Sequence, residues 1–167
     1  MELKSFCRLR QMLPLTVLCL PCLWTEGRLL AQGSGYLAVG EPTKVTGKRS
    51  AALQAKIPVT VLPGYHVNSD KPSEEYLIPL KLTWNSTGAL KPGAIVYPKP
   101  SLEKYEFSEK PISVLTGSFD LVASFKVAPD APAGPGSAAG TLRYQACNNR
   151  ACFAPKNVEV KVPYLIQ

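Results

Sequence analysis

Histidine and methionine, which often join cysteine at metal sites, are nearly absent from this sequence. It contains one histidine, His66, and two methionines, Met1 and Met12. Of its five cysteines, only Cys147 and Cys152 lie beyond residue 31. Two thiols and one imidazole fall one ligand short of the four that a structural zinc ion takes. The sequence therefore predicts no metal site beyond residue 31.

Long apolar runs are also missing. The most apolar stretch, Met12–Trp24 ("MLPLTVLCLPCLW"), is too short to cross a bilayer comfortably as a helix. Positive residues precede it and the small residue Ala31 follows, which is typical of a cleaved export signal. We expect a signal peptide at residues 1–31, a domain at residues 32–167 without a membrane span, and a periplasmic or secreted protein. An uncleaved anchor is the alternative.

Runs of like charge do not occur either. The chain has 19 Lys and Arg against 12 Asp and Glu, a net charge of +7, and the lysines are scattered. Scattered charge is typical of a solvated surface, whereas a nucleic-acid footprint needs clustered cations. We expect no nucleic-acid partner.

The sequence also lacks the apolar periodicity of helices, and its 16 prolines would interrupt most helices. Apolar residues instead alternate with polar ones, between clusters of Pro, Gly, Ser and Asn, which indicates half-buried strands. The alternation is clearest in residues 54–62, 76–84, 119–127, 142–146 and 158–162. We predict an all-β, two-sheet sandwich. Residues 129–140 ("PDAPAGPGSAAG") are expected to be its longest flexible loop, and residues 32–50 an extended arm or edge strand.

The remaining cysteines lie close together in "YQACNNRACFAPK", residues 144–156. A disulfide that closes a loop of about six residues stabilises a fold by only about 2 kcal/mol, against about 3 for fifteen residues. A short-range bond at a strand end would also be exposed, and strain in so small a loop would make it easier to reduce. Arg150 inside the loop and Lys156 behind it would favour the reactive thiolate. The residues alone leave a structural bridge and a redox pair equally open.

His66 follows a Pro-Gly turn and is adjacent to Tyr65. Near the thiols it would tune their acidity. The plainer interpretation, which we favour at this point, is a polar residue at the start of a strand.

Two blocks of the sequence match a known family. "YQACNNRACFAPK" and the upstream "PGYHVNSDKPSEEYLIPLKL" (63–82) closely resemble the N-terminal periplasmic domain of the thiol:disulfide interchange protein DsbD, in particular its stand-alone or rearranged bacterial versions. The likeness covers most of residues 45–163. Its most specific part is a strand that ends in Tyr-Gln-x-Cys, a short polar loop, and then Cys-Phe/Tyr-x-Pro.

The resemblance implies an immunoglobulin-like sandwich with the cysteine pair on a β-hairpin. It further implies a thiol:disulfide oxidoreductase of the protein-disulfide reductase type, without metal or organic cofactor. Such a domain accepts electrons from a thioredoxin-like donor and passes them to exported disulfide proteins. By residue, Cys152 matches the cysteine that forms mixed disulfides with partners, and Cys147 matches the one that resolves them.

The resemblance also implies a shielded site. "KYEFSEK" (104–110) is similar to the family's cap loop, so Phe107 is the expected cap over the disulfide, with Glu106 beside it. Tyr65 matches a family aromatic near the active-site hairpin.

The sequence departs from the family in three places. The loop between the cysteines is one residue shorter than in the best-known member, Arg150 stands where acidic or neutral residues are common, and Ser108-Glu109 replaces the tyrosine-glycine that often follows the cap phenylalanine. We expect electrons to come from a separate chain, either a thioredoxin-like protein or a membrane electron conductor. A non-catalytic β-sandwich interaction module with a structural hairpin disulfide is the alternative function.

Overall fold

A computed structural model describes residues 32–33 and 35–167 of the protein. The predicted signal peptide, residues 1–31, lies outside the described residues. Within the described part every regular element is a β-strand, which confirms the all-β prediction. In the same residues no helix is long and apolar enough to cross a membrane.

Thirteen strands form in the described residues. They are β1 (Gln32–Gly33), β2 (Leu37–Val39), β3 (Val45–Gly47), β4 (Ala52–Val61), β5 (His66–Asn68), β6 (Lys81–Ser86), β7 (Leu90–Val96), β8 (Ser101–Glu103), β9 (Ile112–Leu115), β10 (Ser118–Val127), β11 (Gly134–Tyr144), β12 (Ala146–Cys147) and β13 (Lys156–Ile166).

Two large sheets make an immunoglobulin-like sandwich, as predicted. One has five strands in the order β1-β2-β4-β10-β7, and the other has four in the order β3-β13-β11-β6. Their inner faces share one apolar cluster, with Ile57 and Leu121 from the first sheet and Leu142 and Val160 from the second. Each such side chain, when fully buried, stabilises the folded state by roughly 1.5–3 kcal/mol relative to an exposed one.

The alternating pattern correctly predicted the central strands. In β10, Leu121, Ala123, Phe125 and Val127 are buried, as predicted, while Phe119 at the strand start is half-buried. The expected edge strands within residues 32–50 also form. β2 pairs antiparallel with β4, and β3 pairs parallel with β13 at the edge of the second sheet.

The prediction of a flexible loop at residues 129–140 was wrong for most of its length. Residues 134–140 belong to β11 and pair with residues 160–166 of β13. The glycines there allow close packing, since a Cβ on Gly136 would lie 2.2 Å from Cζ of Tyr164, and one on Gly140 would lie 2.8 Å from the carbonyl oxygen of Thr83. Small residues are present because a neighbouring ring and strand occupy the space that side chains would need.

The strand predicted to begin at Tyr76 begins only at Lys81. Tyr76 is 62% exposed and precedes the strand in a turn region, so it does not share the buried face of Leu80 and Leu82. The residues before Lys81 instead lie against a third, smaller sheet that the sequence did not predict. This sheet has the order β12-β5-β9-β8 and carries Cys147, which Cys152 faces across an isolated bridge.

Candidate functional site

The two cysteines form a disulfide that closes a β-hairpin, as the resemblance implied. Their Cα atoms are 3.9 Å apart, and they are paired as an antiparallel bridge. Backbone hydrogen bonds flank the bond on both sides, from Asn148 N to Ala151 O (2.9 Å) and from Phe153 N to Ala146 O (2.8 Å). The hairpin is therefore held by its backbone as well as by the disulfide.

Asn148 shapes the turn between the cysteines. Its side-chain Oδ1 accepts hydrogen bonds from the backbone N–H groups of Arg150 and Ala151, both at 2.9 Å. Asparagine favours such turns because its short side chain reaches the backbone two residues on. Arg150 itself is exposed at the tip.

The two sulfur-bearing residues differ in exposure. Cys147 is completely buried, whereas Cys152 is half-buried. A nucleophile from outside therefore has better access to the side of the bond that Cys152 carries.

Three flat rings stack beside the disulfide hairpin. The ring of Tyr105 lies on His66 with centroids 4.0 Å apart and an interplanar angle of 19°, and the ring of Phe107 follows Tyr105 at 5.6 Å and 8°. Tyr105, Phe107 and Cys152 all pack against a small apolar cluster of Leu77, Ile112 and Val114. The segment predicted as a cap, residues 104–110, thus lies at the cysteine pair.

The start of β5 brings His66 to the cysteines. A turn precedes it, in which Tyr65 N donates to Leu62 O at 3.1 Å and Gly64 has a φ of +82°. Proline at the second position and a positive-φ glycine at the third are typical of a type II turn. In the pairing of β5 with β12, His66 is the direct partner of Cys147.

His66 is buried, at 2% exposure, and its Nε2 has no hydrogen-bond partner in the part of the chain that the structure describes. Burial lowers the pKa of His66, and the negative charge of Glu103 partly opposes this. The imidazole is therefore neutral near pH 7 while the disulfide is intact.

Glu103 is the carboxylate that is hydrogen-bonded within this site. It accepts from the Tyr105 hydroxyl at 2.5 Å and from the Ser101 hydroxyl at 2.8 Å. These two bonds lower the pKa of Glu103. Burial, and then the bond to Glu103, raise the pKa of Tyr105. Glu106, the predicted cap carboxylate, is exposed at the turn of the same segment.

A second aromatic group lies behind the hairpin. The ring of Tyr36 is 4.7 Å from the rings of both Tyr65 and Phe153, and Tyr65 lies 5.9 Å from Phe153. Because Phe153 directly follows Cys152, the structure brings Tyr65 beside the hairpin. Lys156, predicted to tune the thiolates, has its Nζ 4.8 Å from the centre of the Tyr36 ring, in a cation–π contact.

Gln145 fastens the hairpin to the rest of the domain. Its Oε1 accepts hydrogen bonds from Asn68 Nδ2 (3.1 Å) and from the backbone N–H of Ile78 (3.0 Å), and its Nε2 donates to Phe153 O (3.2 Å). One side chain thus joins both arms of the hairpin to β5 and to the segment before β6.

A cleft of about 360 Å³ opens next to the stacked rings. Its lining includes His66, Glu103 and Tyr105, the turn at residues 62–65, and Asn149 of the hairpin. In the described residues, no group of three or more His, Cys, Asp or Glu side chains is placed to hold a metal ion.

Sequence reasoning missed Tyr105, Glu103, Gln145 and Tyr36. The alternation of Glu103, Tyr105 and Phe107 was an available signal, because alternate residues of an extended segment share a face. Gln145 belongs to the Tyr-Gln-x-Cys block, but its sequence context indicated no role for it. No sequence pattern indicated that Tyr36 lies near the hairpin.

A β-sandwich that presents a disulfide on a short hairpin, with one sulfur buried and one accessible, defines a class of domain suited to thiol–disulfide exchange. The chain belongs to the family described as "Thiol:disulfide interchange protein DsbD, N-terminal", which it matches over residues 35–163. The family and the disulfide together support thiol–disulfide exchange in general. No curated protein sequence matches the chain.

Two solved structures are similar to this domain. The N-terminal periplasmic domain of ScsB from Proteus mirabilis is 14% identical with a TM-score of 0.55, over 77% of this chain and 46% of that one. The chain thus spans about half of the length of the ScsB structure, and the likeness shows the fold. The DsbD N-terminal domain of Neisseria meningitidis in the reduced form is 20% identical with a TM-score of 0.43, over 71% of this chain and 86% of that one.

Proposed function

We propose that this domain is a periplasmic thiol:disulfide oxidoreductase that takes electrons from a thioredoxin-like donor or a membrane electron conductor and passes them to exported disulfide proteins. One observation carries the proposal: the Cys147–Cys152 disulfide closes a single hairpin, with Cys147 buried and Cys152 half-buried. This difference gives the two sulfurs different tasks. The family match supports the chemistry, and the periplasmic location of the ScsB domain supports the compartment.

The first half-reaction reduces the domain. A donor thiolate attacks Sγ of Cys152, because Cys152 is the accessible side of the bond, and Cys147 leaves as a thiolate that takes up a proton. A second donor thiol then loses its proton and attacks the donor sulfur of the mixed disulfide, the bond to Sγ of Cys152 breaks, and Cys152 leaves as a thiolate that takes up a proton. The donor leaves oxidised, and the domain holds two thiols.

The second half-reaction reduces a client. The Cys152 thiolate attacks a client disulfide, which forms a mixed disulfide and releases one client thiolate. Cys147 then attacks Sγ of Cys152, the bond to the client breaks, and the client leaves as a dithiol. Two electrons have passed from domain to client, and the intramolecular disulfide is restored.

Phe107 acts in this proposal as the cover of the pair, together with Tyr105. Both belong to a turn segment between β8 and β9, which can move more readily than the strands on either side of it. Tyr65 and Glu106 are assigned to the rim that a partner meets. Arg150 adds a positive charge at the tip, where it favours approach of a thiolate and its formation.

The reduction potential of the Cys147/Cys152 pair tests the function. The domain is equilibrated with glutathione or dithiothreitol and its thiols are trapped. A value between roughly −270 and −120 mV, the range of exchange proteins, is expected. A value below about −300 mV would instead favour the interaction module with a structural disulfide.

Single-cysteine variants test the division of labour. Cys147→Ser should accumulate a mixed disulfide with an oxidised model client, since nothing resolves the adduct at Cys152. Cys152→Ser should trap far less, because its remaining thiol, that of Cys147, is buried. Equal trapping by both variants would contradict the assignment.

A further inference from the structure

His66 and Cys147 lie directly opposite each other on neighbouring strands. They are paired residues in the antiparallel register of β5 and β12. Side chains at such positions point to the same face, with Cβ atoms about 4.5–5.5 Å apart. The imidazole thus belongs to the surroundings of the buried sulfur rather than the accessible one. As the sole histidine of the chain, it is also the side chain whose ordinary pKa is closest to neutral pH.

The buried sulfur has a chemical requirement that the accessible sulfur lacks. Once the disulfide is reduced, the Cys147 thiol must lose its proton before it can attack, and burial disfavours a thiolate without a compensating charge. The imidazole has an unpartnered Nε2 in the described part of the chain and is 98% withdrawn from solvent, given its 2% exposure. It is therefore a base without a competing partner beside an acid that needs one.

The surroundings of His66 would also stabilise the proton once it is transferred. The face of the Tyr105 ring lies 4.0 Å from the imidazole, centroid to centroid, and aromatic faces attract cations. The Tyr105 hydroxyl donates to Glu103, which keeps a carboxylate on the same side of the small sheet. The charge of Glu103 favours the protonated imidazole.

Three ionisable groups face His66 in the part of the chain that the structure describes. Cys147 faces it from β12, Glu103 from β8 and Tyr105 from the segment between β8 and β9. The neighbouring strand β9, Ile112–Leu115, carries no ionisable side chain. A pH dependence of the Cys147–His66 pair is therefore attributed to Cys147, His66 and Glu103 together.

We propose that His66 is the proton acceptor for the Cys147 thiol in the step that resolves the mixed disulfide. This inference rests on the proposed exchange function and names the group that drives one step of it. The Cys147 proton moves to Nε2 of His66, and the thiolate attacks Sγ of Cys152. The new S–S bond forms as the bond to the client sulfur breaks. The departing client thiolate takes a proton from the imidazolium or from water, so that no other reactant is needed.

The test isolates the resolving step with an aromatic disulfide reagent, dithionitrobenzoate, added to the reduced domain. Each attack releases one coloured thiolate. The first release reports attack by Cys152 on the reagent, and the second reports attack by Cys147 on the mixed disulfide. Cys147→Ser assigns the phases, because it should show the first release and lack the second.

His66→Phe keeps a ring to stack on Tyr105 but removes the base, and His66→Gln provides a second, polar replacement. Both should slow the second release about a hundredfold or more at neutral pH, as the loss of a general base does. In both variants the rate of the second release should rise further with pH than in the unaltered domain, while the rate of the first release should not change. Tyr105→Phe, which keeps the ring stack and loses the bond to Glu103, should produce a smaller loss.

The outcomes separate two kinds of failure. A second release with unchanged rate and pH profile in both His66 variants would overturn the role of His66 and leave the exchange function intact. Equal slowing of both releases would mean a structural role and would also overturn it. Absence of a second release in the unaltered domain would overturn the exchange function itself.

Discussion

Asn68 donates a hydrogen bond from Nδ2 to Oε1 of Gln145 at 3.1 Å, across 77 residues of sequence. The bond links β5 to the single residue that separates β11 from β12. The same oxygen accepts from Ile78 N. The side chain of Gln145 therefore fastens the disulfide hairpin to β5 and to the segment before β6, in addition to the backbone pairing of β12 with β5.

Gln145→Ala should lower the free energy of unfolding by about 1–3 kcal/mol, because it leaves two part-buried donors without their acceptor. Urea unfolding of the oxidised domain measures the change. Gln54→Ala is the control, since Gln54 is exposed on β4, and it should alter stability by less than about 0.5 kcal/mol. Equal effects of the two substitutions would show that the Gln145 bonds contribute nothing.

Gly136→Ala should destabilise the domain by roughly 1–3 kcal/mol through overpacking. The added Cβ would lie 2.2 Å from Cζ of Tyr164, so ring or strand must shift. Ser137→Ala, an exposed position on the same strand, should be nearly neutral. Urea midpoints of both variants measure this, and a Gly136→Ala variant as stable as the control would contradict the close approach.

The residues between 129 and 140 show why composition alone misled. Pro, Gly, Ala and Ser are typical of flexible loops, yet the same small residues are what a strand needs where a ring such as Tyr164 lies across it. Which of the two holds depends on a residue far along the chain. By contrast, β10 was predictable because the alternation of Leu121, Ala123 and Phe125 is contained in ten consecutive residues.

The candidate site was predictable to the extent that it lay within motifs. The disulfide followed from the family resemblance and is confirmed by the structure. Phe107 packs on the same small cluster as Cys152, and its role as the cap stays a prediction. The roles of Glu103, Tyr105 and Gln145 depend on the pairing of strands of only two to four residues in the third sheet. Such short strands carry too little alternation to be detected from sequence.

Phe107→Ala should let dithiothreitol reduce the disulfide several-fold faster, because a ring that packs on the same cluster as Cys152 is removed. The rate is measured by quenching with an alkylating reagent and counting modified thiols. Leu102→Ala, a 71% exposed position in β8, is the matched control and should keep the original rate. If dithiothreitol reduces the disulfide equally fast in both variants, Phe107 does not shield the cysteine pair.

Glu103→Gln tests the carboxylate that holds Tyr105 over His66. The hydrogen bonds from Tyr105 and Ser101 lower the folded-state pKa of Glu103 below its ordinary value of 4.5. The stability that Glu103 provides is therefore present above pH 4.5 and is lost as the pH falls through the lower folded-state pKa. Glutamine keeps the shape and the acceptor oxygen but removes the charge.

The glutamine variant should be less stable than the unaltered domain at neutral pH, and its stability should fall less between about pH 5 and about pH 2. Urea midpoints across this range measure both effects. Glu75→Gln, at an exposed position before β6, should follow the curve of the unaltered domain. Parallel curves for Glu103→Gln and the unaltered domain would mean that the charge of Glu103 does not stabilise the fold. The stacked rings beside the cysteines would then owe their position to apolar packing alone.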